Sequence, residues 1–276
     1  MLVLAVVAGT LLGGAATPAA ATARTALTVS FHSVALDGQM HALVFLPAGY
    51  EAGTTRYPVV YFLHGLPAVS TTYAGNKWLA AELAEAAKPA ILVEPQGARG
   101  SDSDAEYLNW GPGRDWETYV SHDLVDYIDA HFRTIASRQG RAIVGLSAGG
   151  YGAVILGIHH LDRFAAIESW SGYFHPTDPT GTVALDRGSD ADAHAQIASL
   201  KQSETRLPTY LAFYVGSSDS RFRVENAEFN RELNAAHVPH QFAVYPGGHS
   251  TSLWEAHGEV WLADALRHLA PASTDP

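Results

Sequence analysis

The sequence predicts an α/β fold, a mostly parallel central sheet with helices on both faces. Two observations point to it. Apolar runs of strand length alternate with longer stretches whose apolar residues recur at helical spacing, and this continues to the C-terminal region. The run 57–63 is apolar throughout, as a strand covered on both faces requires. With 276 residues and 47% hydrophobic content, the chain can bury the core of one large domain.

The elements follow in order. Residues 1–23 read as a signal peptide: 2–16 are almost wholly apolar, too short to span a bilayer comfortably, and a small-residue tract follows. Ala21-Thr22-Ala23 places cleavage before Arg24, although no Lys or Arg precedes the apolar run. A secreted, extracellular protein is expected, with 24–276 as a single domain. Runs 27–31 and 42–45 predict strands joined by a turn at Asp37-Gly38. Strand 57–63, helix 78–87 and strand 90–93 come next, then a polar, glycine-rich loop over 96–114. Trp116, Val120, Leu124, Ile128 and Phe132 mark a helix with Asp115 as its cap. Strand 142–144, helix 151–160 and strand 164–170 follow. Between 173 and 207 the alternation fails, which predicts a cap-like insertion above the sheet. Strand 209–215, helix 226–236, strand 241–245 and helix 254–269 complete the series.

Composition excludes several functions. Seventeen basic residues against 28 acidic ones give a net charge of −11, which repels nucleic acid and anionic membranes. Without cysteine there is no disulfide, thiolate nucleophile or cysteine metal site. No His-Glu-x-x-His motif or carboxylate cluster marks a metal, so neither metal nor cofactor is expected.

The chemistry centres on Gly145-Leu146-Ser147-Ala148-Gly149, flanked by an apolar strand and a helical run. That is the strand, sharp turn and helix of a nucleophile elbow, in which glycines leave room for the crossing and the serine hydroxyl stands clear. Acyl transfer through serine also needs a base, a group that orients it, and donors for an oxyanion. Asp219 follows strand 209–215 and His249 follows strand 241–245 through Pro246-Gly247-Gly248, in the order Ser, Asp, His. Glu225 and Glu228 are fallback acids, placed by their spacing inside the next helix. His159 and His160 lie on the elbow helix and read as packing or surface residues. The oxyanion donors are expected to be the backbone N–H of Ala148 and that of Leu66, in His64-Gly65-Leu66-Pro67 after strand 57–63; Pro67 has no N–H to offer.

Together these residues resemble the esterase family of the α/β-hydrolases, which includes S-formylglutathione hydrolase (esterase D), feruloyl and acetylxylan esterases, enterochelin-type esterases and mycolyltransferases. The likeness rests on Tyr61-Phe62-Leu63-His64-Gly65-Leu66, Trp116-Glu117-Thr118-Tyr119-Val120, Asp129-Ala130-His131-Phe132, residues 145–152, Ser169-Trp170-Ser171-Gly172 and Gly247-Gly248-His249. It implies the α/β-hydrolase fold, Ser147 as nucleophile, Asp219 as acid, His249 as base, and an oxyanion hole from Leu66 and Ala148. Two departures stand out. Ala148 occupies a position where many members carry methionine, and Ser250-Thr251-Ser252-Leu253 separate His249 from Trp254.

The function read from these residues is a secreted serine carboxylesterase that forms an acyl-enzyme on a small-molecule or polysaccharide-linked ester. Two rivals remain: an acyltransferase of the mycolyltransferase type moving the acyl group to a sugar or lipid hydroxyl, and a non-catalytic carbohydrate- or wall-binding module. The sequence leaves acyl specificity and oligomeric state open. Tyr107, Trp110, Trp170, Tyr173 and Phe174 fall near the expected mouth and, taken singly, read as core. Arg99, Arg114 and Arg221 sit in loops suited to an anionic substrate, without forming a pair.

Overall fold

Eight strands form one sheet in the order β1-β2-β4-β3-β5-β6-β7-β8 in a computed structural model, which describes residues 25–86, 88–177 and 188–274. The expected signal segment and residues 178–187 of the insertion lie outside the described residues. β1 (Thr25–Ser33) and β2 (Gly38–Leu46) form an antiparallel hairpin, turned at Asp37-Gly38 as expected, and β2 runs antiparallel to β4 (Ile91–Pro95). All other pairs are parallel, through β3 (Val59–Leu63), β5 (Arg141–Leu146), β6 (Ala166–Trp170), β7 (Tyr210–Gly216) and β8 (Gln241–Tyr245). This is the α/β-hydrolase arrangement that the sequence resemblance implied.

β3 shows why the sheet must be covered twice. Val59, Tyr61 and Leu63 enter one apolar core and Val60 and Phe62 the other, as the two-residue period of a strand dictates. Helices α1 (Trp78–Glu85) and α7 (Thr251–Arg267) close the second face through Leu79, Leu83, Trp261 and Leu262. The first face is closed by α4 (Ala148–His159), by α6 (Arg223–Ala235) and by the helical stretch that begins at Trp116.

That stretch is not one regular α-helix. A short α2 (Trp116–Thr118) passes into a π-type stretch, Tyr119–Leu124, and then into α3 (Val125–His131). The sequence accounts for it. Apolar residues spaced every four positions drift round an α-helix of 3.6 residues per turn, and a wider turn brings them back to one face. Trp116, Val120, Leu124 and Ile128 are accordingly all fully buried. Asp115 takes the N-cap position as expected, but its side chain makes no capping bond: its Oδ1 accepts the Gly111 N–H at 2.9 Å and closes the preceding loop instead.

Among its described residues the insertion carries one short helix, α5 (Ile197–Ser203), packed by Ile197 and Leu200 onto the first core. The loop 96–114 has no regular element, yet Ala98, Ala105 and Tyr107 within it are fully buried. It is part of the packed body beneath the site.

Candidate active site

Ser147 occupies the turn between β5 and α4 with φ 54° and ψ −125°, strained backbone for a residue with a side chain. Glycines make the crossing possible. A Cβ on Gly145 would lie 2.1 Å from the Gly149 carbonyl oxygen, and one on Gly149 would lie 2.1 Å from that of Leu63. The strain is held by the close approach of β3, β5 and α4.

Three side chains distant in sequence meet at the sheet's C-terminal edge. His249 Nε2 lies 2.9 Å from Ser147 Oγ, and His249 Nδ1 lies 2.8 Å from Asp219 Oδ2. Asp219 is 1% exposed, and its Oδ1 accepts the backbone N–H groups of Arg221 at 3.0 Å and Phe222 at 3.2 Å. A carboxylate only accepts, so Nδ1 carries the imidazole proton and Nε2 turns a lone pair to the serine hydroxyl. Glu225 and Glu228, the fallback acids, lie on α6 as expected, and Asp219 holds the place beside His249.

Trp254 stands edge-on to His249, with ring centroids 5.2 Å apart at 89°, and its Nε1 donates to Ser171 Oγ at 3.2 Å. The residues separating it from the histidine lead into the first turn of α7, which carries the indole back over the imidazole.

Leu66 and Ala148 line the same cleft as Ser147. Among the described residues, neither backbone N–H meets a protein acceptor. Gly65 brings its strand of backbone close: a Cβ there would lie 3.3 Å from that of Ser147. His64 anchors this turn. Its Nε2 accepts the Gly97 N–H at 3.0 Å, which fixes the proton on Nδ1, where it donates to the Gly65 carbonyl at 2.9 Å. Burial lowers the His64 pKa to about 4, against the pull of that carbonyl, so the ring is neutral near neutral pH. Tyr107 Oη donates to the His64 carbonyl at 2.7 Å, pinning the turn from below.

The cleft measures about 360 Å³ and is walled by Pro67, Tyr173, His175, Pro176, Thr177, Arg221 and Phe222 as well as three acids, Asp104, Glu106 and Glu225. Glu106 is 1% exposed and accepts hydrogen bonds from the hydroxyls of Tyr173 and Thr177. Burial raises its pKa to about 7, opposed by those two hydroxyls and reinforced by Asp104.

Other sequence candidates take structural places. Tyr107, Trp170 and Phe174 are fully buried, and only Tyr173 of the five aromatics lines the cleft. Arg99 donates to the carbonyls of Leu36 and Gly113, Arg114 pairs with Asp102, and Arg221 stands at the cleft with its guanidinium over the Phe222 ring. His159 and His160 both reach Glu117 Oε1 at 2.9 Å. Sequence reasoning missed Asp104, Glu106, Thr177 and His175. An acid in a polar loop gives no signal of burial, because the partners that bury it come from the insertion.

The comparisons bear on this site. The model of the Esterase family, described as Putative esterase, matches residues 33–263. Esterase Rv1288 of Mycobacterium tuberculosis (strain ATCC 25618 / H37Rv) is 27% identical over 248 residues, covering 79% of this chain and 54% of that protein. The MPT51/MPB51 antigen of Mycobacterium bovis (strain ATCC BAA-935 / AF2122/97) is 32% identical over 186 residues, covering 64% of this chain and 56% of that protein. The chain therefore spans about half the length of these curated relatives. A solved ferulic acid esterase matches with a TM-score of 0.73 and 27% identity, over 89% of this chain and 99% of that one. Among the described residues, no helix is long and apolar enough to cross a membrane.

Proposed function

We propose that this chain, which belongs to the Esterase family, hydrolyses carboxylic esters through a covalent acyl-enzyme on Ser147. His249 Nε2 takes the hydroxyl proton as Ser147 Oγ attacks the ester carbonyl, and Asp219 holds the ring in the required tautomer and stabilises the imidazolium. The N–H groups of Leu66 and Ala148 donate to the oxygen that becomes negative. His249 then gives its proton to the departing alcohol, and next draws one from the water that releases the acid.

One observation carries this reading: the continuous hydrogen-bonded chain from buried Asp219 through His249 to Ser147 Oγ. The ferulic acid esterase, matched over 99% of its length, makes phenolic esters the first substrates to try. Ser147→Ala is expected to lose about 10⁴-fold or more in kcat on p-nitrophenyl butyrate and methyl ferulate, leaving a remnant from binding and the oxyanion donors. A variant that cleaves either ester as fast as the parent refutes the proposal.

A further inference from the structure

Beside the cleft, His175, His194 and Glu225 each bring one ligand-type atom within 4.8 Å of the others. They come from three places: the segment after β6, the loop before α5, and the first turn of α6. We infer that these three side chains form a binding site for a divalent transition-metal ion, best matched by Zn²⁺, tying the insertion to α6.

The surroundings are those of a metal site. His175 Nδ1 faces Asp192 Oδ1 at 3.1 Å, and His194 Nδ1 faces Glu232 Oε2 at 2.6 Å. Each carboxylate holds the ring proton on Nδ1 and leaves Nε2 with an open lone pair, the outer-shell arrangement that orients metal-binding histidines. The His194 side chain is 9% exposed, and its Nε2 is buried without a hydrogen-bond partner among the described residues. An acceptor buried in that way has lost its water without a replacement unless a ligand fills it. Glu225 is held as firmly, its Oε1 accepting the N–H groups of Phe174 and His175, which leaves Oε2 for an ion. Two neutral imidazoles and a carboxylate suit Zn²⁺ better than an oxygen-seeking cation, and water can complete the tetrahedron.

The two imidazoles are stacked, with centroids 4.1 Å apart at 11°. Ligands about 2.1 Å from a tetrahedral ion lie about 3.4 Å from each other, so binding requires one ring to turn. His175 is the ring free to do so, being 18% exposed and on the longer of the two carboxylate bonds. Its rotation fixes the segment that also supplies Tyr173, Pro176 and Thr177 to the cleft wall.

The test is a Zn²⁺ titration of the full chain after chelator treatment, by competition with a chromogenic chelator, with Co²⁺ absorption as a second readout. One equivalent is expected to bind and give the visible bands of four-coordinate Co²⁺. Glu225→Gln retains an oxygen for the two backbone amides and is expected to weaken binding at least 100-fold. Asp192→Asn and Glu232→Gln, which alter only the outer carboxylates, are expected to weaken it about 10–100-fold. Ser147→Ala binds like the parent, so this result stands apart from the hydrolytic proposal. Parent binding no tighter than that of Glu225→Gln, or uptake unchanged by all three carboxyl substitutions, overturns the site and assigns the ion to other histidines.

Discussion

Replacing Glu106 by Gln tests whether a buried carboxyl beside the cleft stores pH-dependent stability. The carboxyl ordinarily titrates at 4.5 and is held at about 7 in the folded chain. The folded state therefore keeps a proton that the unfolded state gives up. Stability from this group is fully present below pH 4.5 and is lost as pH rises through 7. At about 1.36 kcal/mol per pH unit, the loss between pH 5 and pH 8 is about 2–3 kcal/mol. Gln keeps the size and neutrality of the protonated acid: its oxygen replaces one carboxyl oxygen, accepting from Tyr173 or Thr177, and its NH₂ replaces the other. Urea unfolding of the parent and Glu106→Gln at both pH values isolates the effect, because every other titrating group is common to the two. The variant is expected to gain about 2–3 kcal/mol on the parent from pH 5 to pH 8. Parallel stability curves would refute the assignment of a raised pKa to this carboxyl.

Asp219→Asn is predicted to lower kcat about 10³–10⁴-fold with little change in KM or circular dichroism. The Arg221 and Phe222 N–H groups select the Asn oxygen for the Oδ1 position, which turns the NH₂ toward His249 Nδ1 and moves the ring proton to Nε2. A loss under tenfold on p-nitrophenyl butyrate would contradict that tautomer argument. The parent is also predicted to lose stability as pH falls from 6.5 toward 4, by up to about 3 kcal/mol, because His64 stays neutral in the fold while it protonates in the unfolded chain. Urea midpoints for the parent and His64→Asn should converge across that range; curves that stay parallel would show that His64 does not titrate in this way.

Much of the site was legible because its constraints are local. Gly145 and Gly149 are required by a crossing only two backbones wide, and that requirement is written in five consecutive residues. Asp219 and His249 were readable for a related reason: parallel strands all deliver their following loops to one edge, so chain order alone placed them together. The same logic gave Leu66, on the loop after β3. Where a side chain's state depends on what packs over it, the sequence was silent. Glu106 sits in a polar loop, and only Tyr173 and Thr177 make it a buried acid.

The histidine cluster shows how far this division extends. His175 and His194 belong to the segment where the alternation of strand and helix fails, and from its spacing Glu225 reads as a fallback acid for the serine relay. No spacing rule joins the three, because the sheet does not set their separation; the insertion does, by folding back over α6. A glutamate that misses the relay and instead binds two amides at the start of the insertion has a different task, to hold that segment in place. The expectation of no metal rests on the lack of a His-Glu-x-x-His motif, a carboxylate cluster and cysteine in the sequence. Ligands gathered from two loops and the first turn of α6, each braced by a carboxylate or backbone amides, leave no such motif, and the bare buried Nε2 of His194 is visible only once the chain is folded.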